Sequence, residues 1–81
     1  KVAAADAGDT RAVCDSITER LQWAQAKLER YERLRTRLLA GRTEEQFVTE
    51  AERVGPYLTL LRGISFEQEN IRWAERALKI I

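Results

Sequence analysis

The sequence predicts an all-α domain: a three-arm up-down-up antiparallel helical bundle with a long first helix and a Gly-Pro kink in the middle arm. Three observations carry this. Cys14, Ile17, Leu21, Ala24, Leu28, Tyr31, Arg35 and Leu38 recur at alternating gaps of three and four, the spacing that keeps side chains on one side of an α-helix. Stop and start signals follow at Gly41-Arg42-Thr43 and at Gly63-Ile64-Ser65. Connections this short force successive helices to run in opposite directions.

The first helix is expected over Asp9 to Gly41. Asp9 and Thr10 supply side-chain oxygens that accept from the unpaired amides of a first turn, and Gly41 tolerates the left-handed conformation of a helix stop. At 1.5 Å per residue such a helix spans roughly 45 Å. Thr43-Glu44-Glu45-Gln46 matches a capping box, so a second helix should begin at Thr43 or Glu44 with Phe47, Val48, Ala51 and Val54 on its apolar face. Gly55-Pro56 interrupts it. Proline lacks an amide hydrogen and clashes with the preceding turn, so the helix stops at Val54 or kinks there and continues through Tyr57, Leu58, Leu60 and Leu61 to Gly63. Ser65, capping together with Gln68, then opens a last helix that reaches nearly to Ile81.

Eighty-one residues make one domain, expected over 9–81, with a flexible Ala-rich tail over 1–8. The 44% hydrophobic and 33% charged fractions fit a folded helical chain and not a disordered or membrane one. No apolar run approaches the roughly 20 residues that cross a bilayer. With no methionine in the sequence, Lys1 is read as the product of processing or trimming. The small-x-small pattern Ala5-Asp6-Ala7 leaves both an exported and a cytoplasmic location open.

Catalytic chemistry finds little to work with. There is no histidine and a single cysteine, no Gly-rich phosphate loop, and no metal-ligand spacing. Neither a catalytic residue, a cofactor nor a metal is expected, and Cys14, on the apolar stripe, reads as a small hydrophobe. Arginines projecting from a three-helix domain resemble the helical chorismate mutases in architecture. That resemblance would imply a dicarboxylate pocket with cations at wide intervals along the first helix. Counted from Arg11, those intervals reach Leu28 and Leu39, so a mutase-type enzyme is the remote alternative.

The net charge of +1 gives no bulk attraction to a polyanion. Locally, Arg30, Arg33, Arg35, Arg37 and Arg42 face only Glu32, and Arg30, Arg33 and Arg37 share a helical face. They form a candidate anion-binding or nucleic-acid surface. The simpler account is a solvated face matched to the helix dipole and to Glu29, Glu44 and Glu45. Arg35 sits where the stripe is otherwise apolar: either it finds a partner there and fixes register or oligomeric state, or, the favoured reading, its stem lies along the seam and its head reaches water.

The leading expectation is a non-enzymatic protein–protein interaction module that binds another protein chain, as a homodimer or a hetero-complex. The argument is one of lengths. The later arms are each shorter than the first, so about 15 Å of the first helix, carrying Val13, Cys14 and Ile17, lacks an intrachain partner. The last helix has a broad apolar stripe that includes Trp73, Ile80 and Ile81. Trp23 lies off the main stripe, where a tryptophan suits an interface. Together these residues are the predicted interface.

Overall fold

The computed structural model describes residues 7–81. Helix α1 covers Ala7–Leu39, α2 covers Glu44–Glu50 and α3 covers Gly55–Ile80, so the fold is all-α with three helices. The expected tail lies outside the described residues except for Ala7 and Gly8, which open α1.

The stripe that begins at Cys14 becomes the inner face of α1. Ile17 and Ala24 are buried, while Cys14, Leu21, Leu28, Tyr31 and Arg35 are half-buried. At its end the stripe passes to Leu39, which is half-buried, whereas Leu38 is exposed. Ala40 and Gly41 then take φ angles of 51° and 83°, the left-handed stop expected there. The capping box forms as read: Gln46 N donates to Thr43 Oγ1 at 3.1 Å and Thr43 N donates to Gln46 Oε1 at 2.9 Å.

Arg35 pairs with Tyr57, Tyr31 packs against Gly63, and Lys27 lies beside Glu67. Positions fall along α1 as they rise along α3, so the two long helices form an antiparallel hairpin. The buried side chains of α3 are Tyr57, Leu60, Ile64, Glu67 and Ala74. With half-buried Ile71 and Leu78 they make one stripe at alternating gaps of three and four, the counterpart of that on α1. The molecule is a rod of 58 × 17 × 16 Å, with α2 at the corner where the hairpin turns.

Three expectations about the arms are corrected. First, Gly55-Pro56 is no kink inside a middle arm: α2 ends at Glu50, and Pro56 occupies the first turn of α3, where a missing amide hydrogen costs nothing. Second, Gly63-Ile64-Ser65 does not divide two helices. A lone glycine inside a helix costs only about 1 kcal/mol, and here it serves packing, because a Cβ on Gly63 would lie 3.2 Å from Tyr31 Cε2. Third, with α3 continuous, the first and last helices are antiparallel rather than the parallel outer arms of an up-down-up arrangement.

The third correction removes the length mismatch. A 26-residue α3 is about 39 Å long and, in this register, reaches back past Ile17 towards Val13. Ile17 is accordingly buried inside the hairpin, Cys14 is half-buried, and Val13 remains exposed.

Candidate functional site

Two places on the rod concentrate aromatic and charged side chains. The first is the elbow, where α2 closes the turn. Tyr57, 1% exposed, is the most deeply buried large side chain. Its hydroxyl donates to Glu44 Oε2 at 2.7 Å and accepts from Arg35 Nε at 3.0 Å. An Arg35 terminal nitrogen stands 3.7 Å from the same Glu44 oxygen. The seam arginine is therefore clamped between residues of α2 and α3, where a head merely reaching water was expected. Burial, and then the hydrogen bond to Glu44, push the Tyr57 hydroxyl above its ordinary pKa, with Arg35 opposing. The Arg35 guanidinium is held above its usual range, first by the hydrogen bond it donates to Tyr57.

Phe47 packs on Tyr57 with ring centroids 4.9 Å apart, and the Arg42 guanidinium lies 5.1 Å over Phe47. Arg42 also donates to the carbonyls of Leu38 and Leu39 and to Glu50. These bonds satisfy carbonyls that the end of α1 would otherwise leave without an intrahelical partner. Every interaction here is internal, so the elbow is a structural lock.

The second place is a groove of about 400 Å3 along the hairpin. Arg20, Trp23, Ala24 and Lys27 of α1 form one wall, and Phe66, Glu67, Asn70, Trp73 and Ala74 of α3 form the other. Trp23, Phe66 and Trp73 are 64%, 62% and 51% exposed, unusual for rings of this size. Glu67 is the buried charged residue of the described chain. Asn70 Nδ2 donates to its Oε1 at 3.1 Å, while Lys27 Nζ stands 4.0 Å from Oε2.

The groove unites Trp23 and Trp73 from opposite helices. It does not include Val13, Cys14, Ile17, Ile80 or Ile81, which lie towards the other end of α1 and α3, with Ile80 and Ile81 exposed. Phe66, Arg20, Lys27, Glu67 and Asn70 are groove residues that the sequence reading passed over. A signal for them existed: Phe66, Asn70 and Trp73 follow one another at gaps of four and three, and so do Arg20, Trp23 and Lys27 at three and four. Each is a second, outer stripe beside the core stripe.

The basic stripe is thinner than its sequence implied. Arg35 and Arg42 belong to the elbow, and Arg33 pairs with Glu29 at 3.5 Å. Arg30 and Arg37 remain exposed on the surface of α1. Among the described residues no three metal-binding side chains converge, and no helix is long and apolar enough to cross a membrane.

Fold and site together define a small, elongated, all-α helical-bundle domain with one sealed corner and one open aromatic face. The chain matches the family described as virulence activator alpha C-term over residues 1–81, and it belongs to that family. No curated protein and no solved structure matches it.

Proposed function

We propose that this chain is a non-enzymatic assembly domain of a regulatory protein, and that it pairs with a second copy of itself through the aromatic groove. The observation that carries this is the exposure of Trp23, Phe66 and Trp73 on both walls of one groove. A fully covered ring of this kind buries roughly 150 to 250 Å2, more than half of each is still exposed here, and such aromatic anchors dominate interface energetics. A two-helix rod cannot cover them from within. Its radius of gyration is 17.9 Å, against about 12 Å for a compact domain of this length. A second hairpin laid on the groove would make four helices around a shared core, an arrangement in which amphipathic helices bury their apolar faces on one another.

The family description supports the regulatory setting: a C-terminal part of an activator suits a transcription-related protein whose copies must be held together. Nucleic-acid binding by Arg30, Arg33 and Arg37 is the competing outcome. Analytical ultracentrifugation of the chain tests the reading, with self-association at micromolar concentration expected. Trp23→Ala/Trp73→Ala should weaken it by more than about tenfold, since each anchor contributes upwards of 1 kcal/mol. An association that hardly responds to salt separates this from polyanion binding, whose affinity falls steeply with salt. A parent chain that stays monomeric at high micromolar concentration overturns the proposal.

A further inference from the structure

The groove is lopsided in charge, and we infer that Glu67 and Arg20 fix the register in which two copies pair, each copy's Glu67 meeting Arg20 of the other. This rests on the reading of the groove as a self-association surface and adds a specificity determinant to it.

Glu67 is 4% exposed, yet only half of its carboxylate is well served. Oε1 accepts from Asn70 at 3.1 Å, while Oε2 has only Lys27 at 4.0 Å, too far for a hydrogen bond. Every fully buried side-chain polar atom among the described residues has a hydrogen-bond partner, so Oε2 opens into the groove. A buried carboxylate with one oxygen open favours a ligand that brings a second cation. Arg20 lines the same groove and forms no ion pair among the described residues.

The spacing of these two groups is what makes the groove self-complementary. Arg20 precedes Lys27 by seven residues, about 10 Å along α1. Because Lys27 is level with Glu67 and the helices are antiparallel, Arg20 is level with Ala74. The anion and the free cation therefore mark opposite ends of the groove, with Ala24 and Asn70 near its middle. A twofold axis across that middle exchanges the ends and sets Glu67 of each copy level with Arg20 of the other, forming two pairs at once as an isologous interface requires. Laying the second copy the other way round would place Glu67 beside Glu67 and Arg20 beside Arg20. The rings supply affinity in both orientations, but only the twofold one keeps Arg20 from facing Arg20 and brings Glu67 a second cation beside Lys27.

Sedimentation analysis of the chain and its variants tests this, with helical content checked by circular dichroism. Arg20→Glu should weaken self-association by at least about tenfold, because each Glu67 loses its second cation and meets a like charge that Lys27 offsets only in part. Glu67→Gln keeps the shape and an acceptor for Asn70, so Glu67→Gln/Arg20→Glu should recover most of that loss. Glu67→Arg and Arg20→Glu should each self-associate poorly but form a mixed dimer when combined, since both of its cross-pairs are of opposite sign. If Glu67→Arg does not fold, the comparison of Arg20→Glu with Glu67→Gln/Arg20→Glu decides alone. A parent that dimerises while Arg20→Glu is silent, or goes unrelieved by Glu67→Gln, overturns the register and leaves self-association standing. A monomeric parent overturns both.

Discussion

The elbow and the groove lie on the same pair of long helices, yet they treat their aromatic and charged side chains in opposite ways. At the elbow a third helix is present, so Tyr57 is buried, Arg35 and Glu44 meet on its hydroxyl, and Phe47 covers its ring. Along the groove there are only two helices, and three large rings face outward over a half-served carboxylate. The number of neighbouring helices, and not the residue types, decides which aromatics become core. The groove is an elbow without a covering helix.

The sharpest way to break that comparison is to truncate one ring from each place. Tyr57→Ala should cost about 3 to 5 kcal/mol, as removal of a buried ring leaves a cavity and strands Arg35. Trp23→Ala should change the stability of the dilute chain by less than about 0.5 kcal/mol, as surface substitutions do. Denaturant melts at low concentration, where association contributes least, compare the two. Similar losses at both positions would mean that the groove is already closed within one chain.

Between the two regions, Gly63 sets how closely the long helices approach. Gly63→Val puts branched atoms into the Tyr31 ring, 3.2 Å from where a Cβ would stand, and should destabilise by about 2 kcal/mol. A melt showing a gain instead would place helix propensity above packing at that crossing.

The elbow should respond to alkaline pH. Tyr57 has its pKa raised above the ordinary 10.0, by burial first, so the folded state keeps the hydroxyl proton to higher pH than the unfolded state does. The stability this represents is fully present below about pH 10 and is lost as pH rises through the ordinary value towards the raised one. Tyr57→Phe should flatten the fall in stability across that window, read by melts from pH 9 to 11. An unchanged slope would detach Tyr57 from the effect. The smallest change is expected on the outer face of α1. Replacing Arg30, Arg33 and Arg37 by Gln should alter stability by only tenths of a kcal/mol, because exposed ion pairs contribute that much at most. The same variant leaves self-association intact if the groove carries it.

Much of the fold was legible in the chain. The stripe of α1, its left-handed stop at Gly41 and the capping box at Thr43 and Gln46 are short-range features, each settled within one or two turns. Gly63 was misread because a glycine two positions before a serine mimics a helix boundary. The correcting signal was nearby: Tyr57, Leu60, Ile64, Glu67, Ile71, Ala74 and Leu78 keep the helical period straight through it. Only the Tyr31 ring packed against it shows why a glycine stands there. That Trp23 and Trp73 share a groove was unreadable for a related reason. The two lie 50 positions apart, and their juxtaposition depends on the hairpin register.

The sequence by itself determined that the chain is helical, where its first helix ends and its second begins, and which side of α1 faces inward. Those outcomes follow from side-chain period and capping, which act within a few residues. Tertiary structure alone decided that the last two expected segments are one helix, that this helix returns along α1 far enough to bury Ile17, that Arg35 finds Tyr57 and Glu44, and that three rings are left facing outward. Those depend on how two long helices approach and slide past each other. No local pattern carries that information, because register is the sum of many weak contacts made between distant parts of the chain.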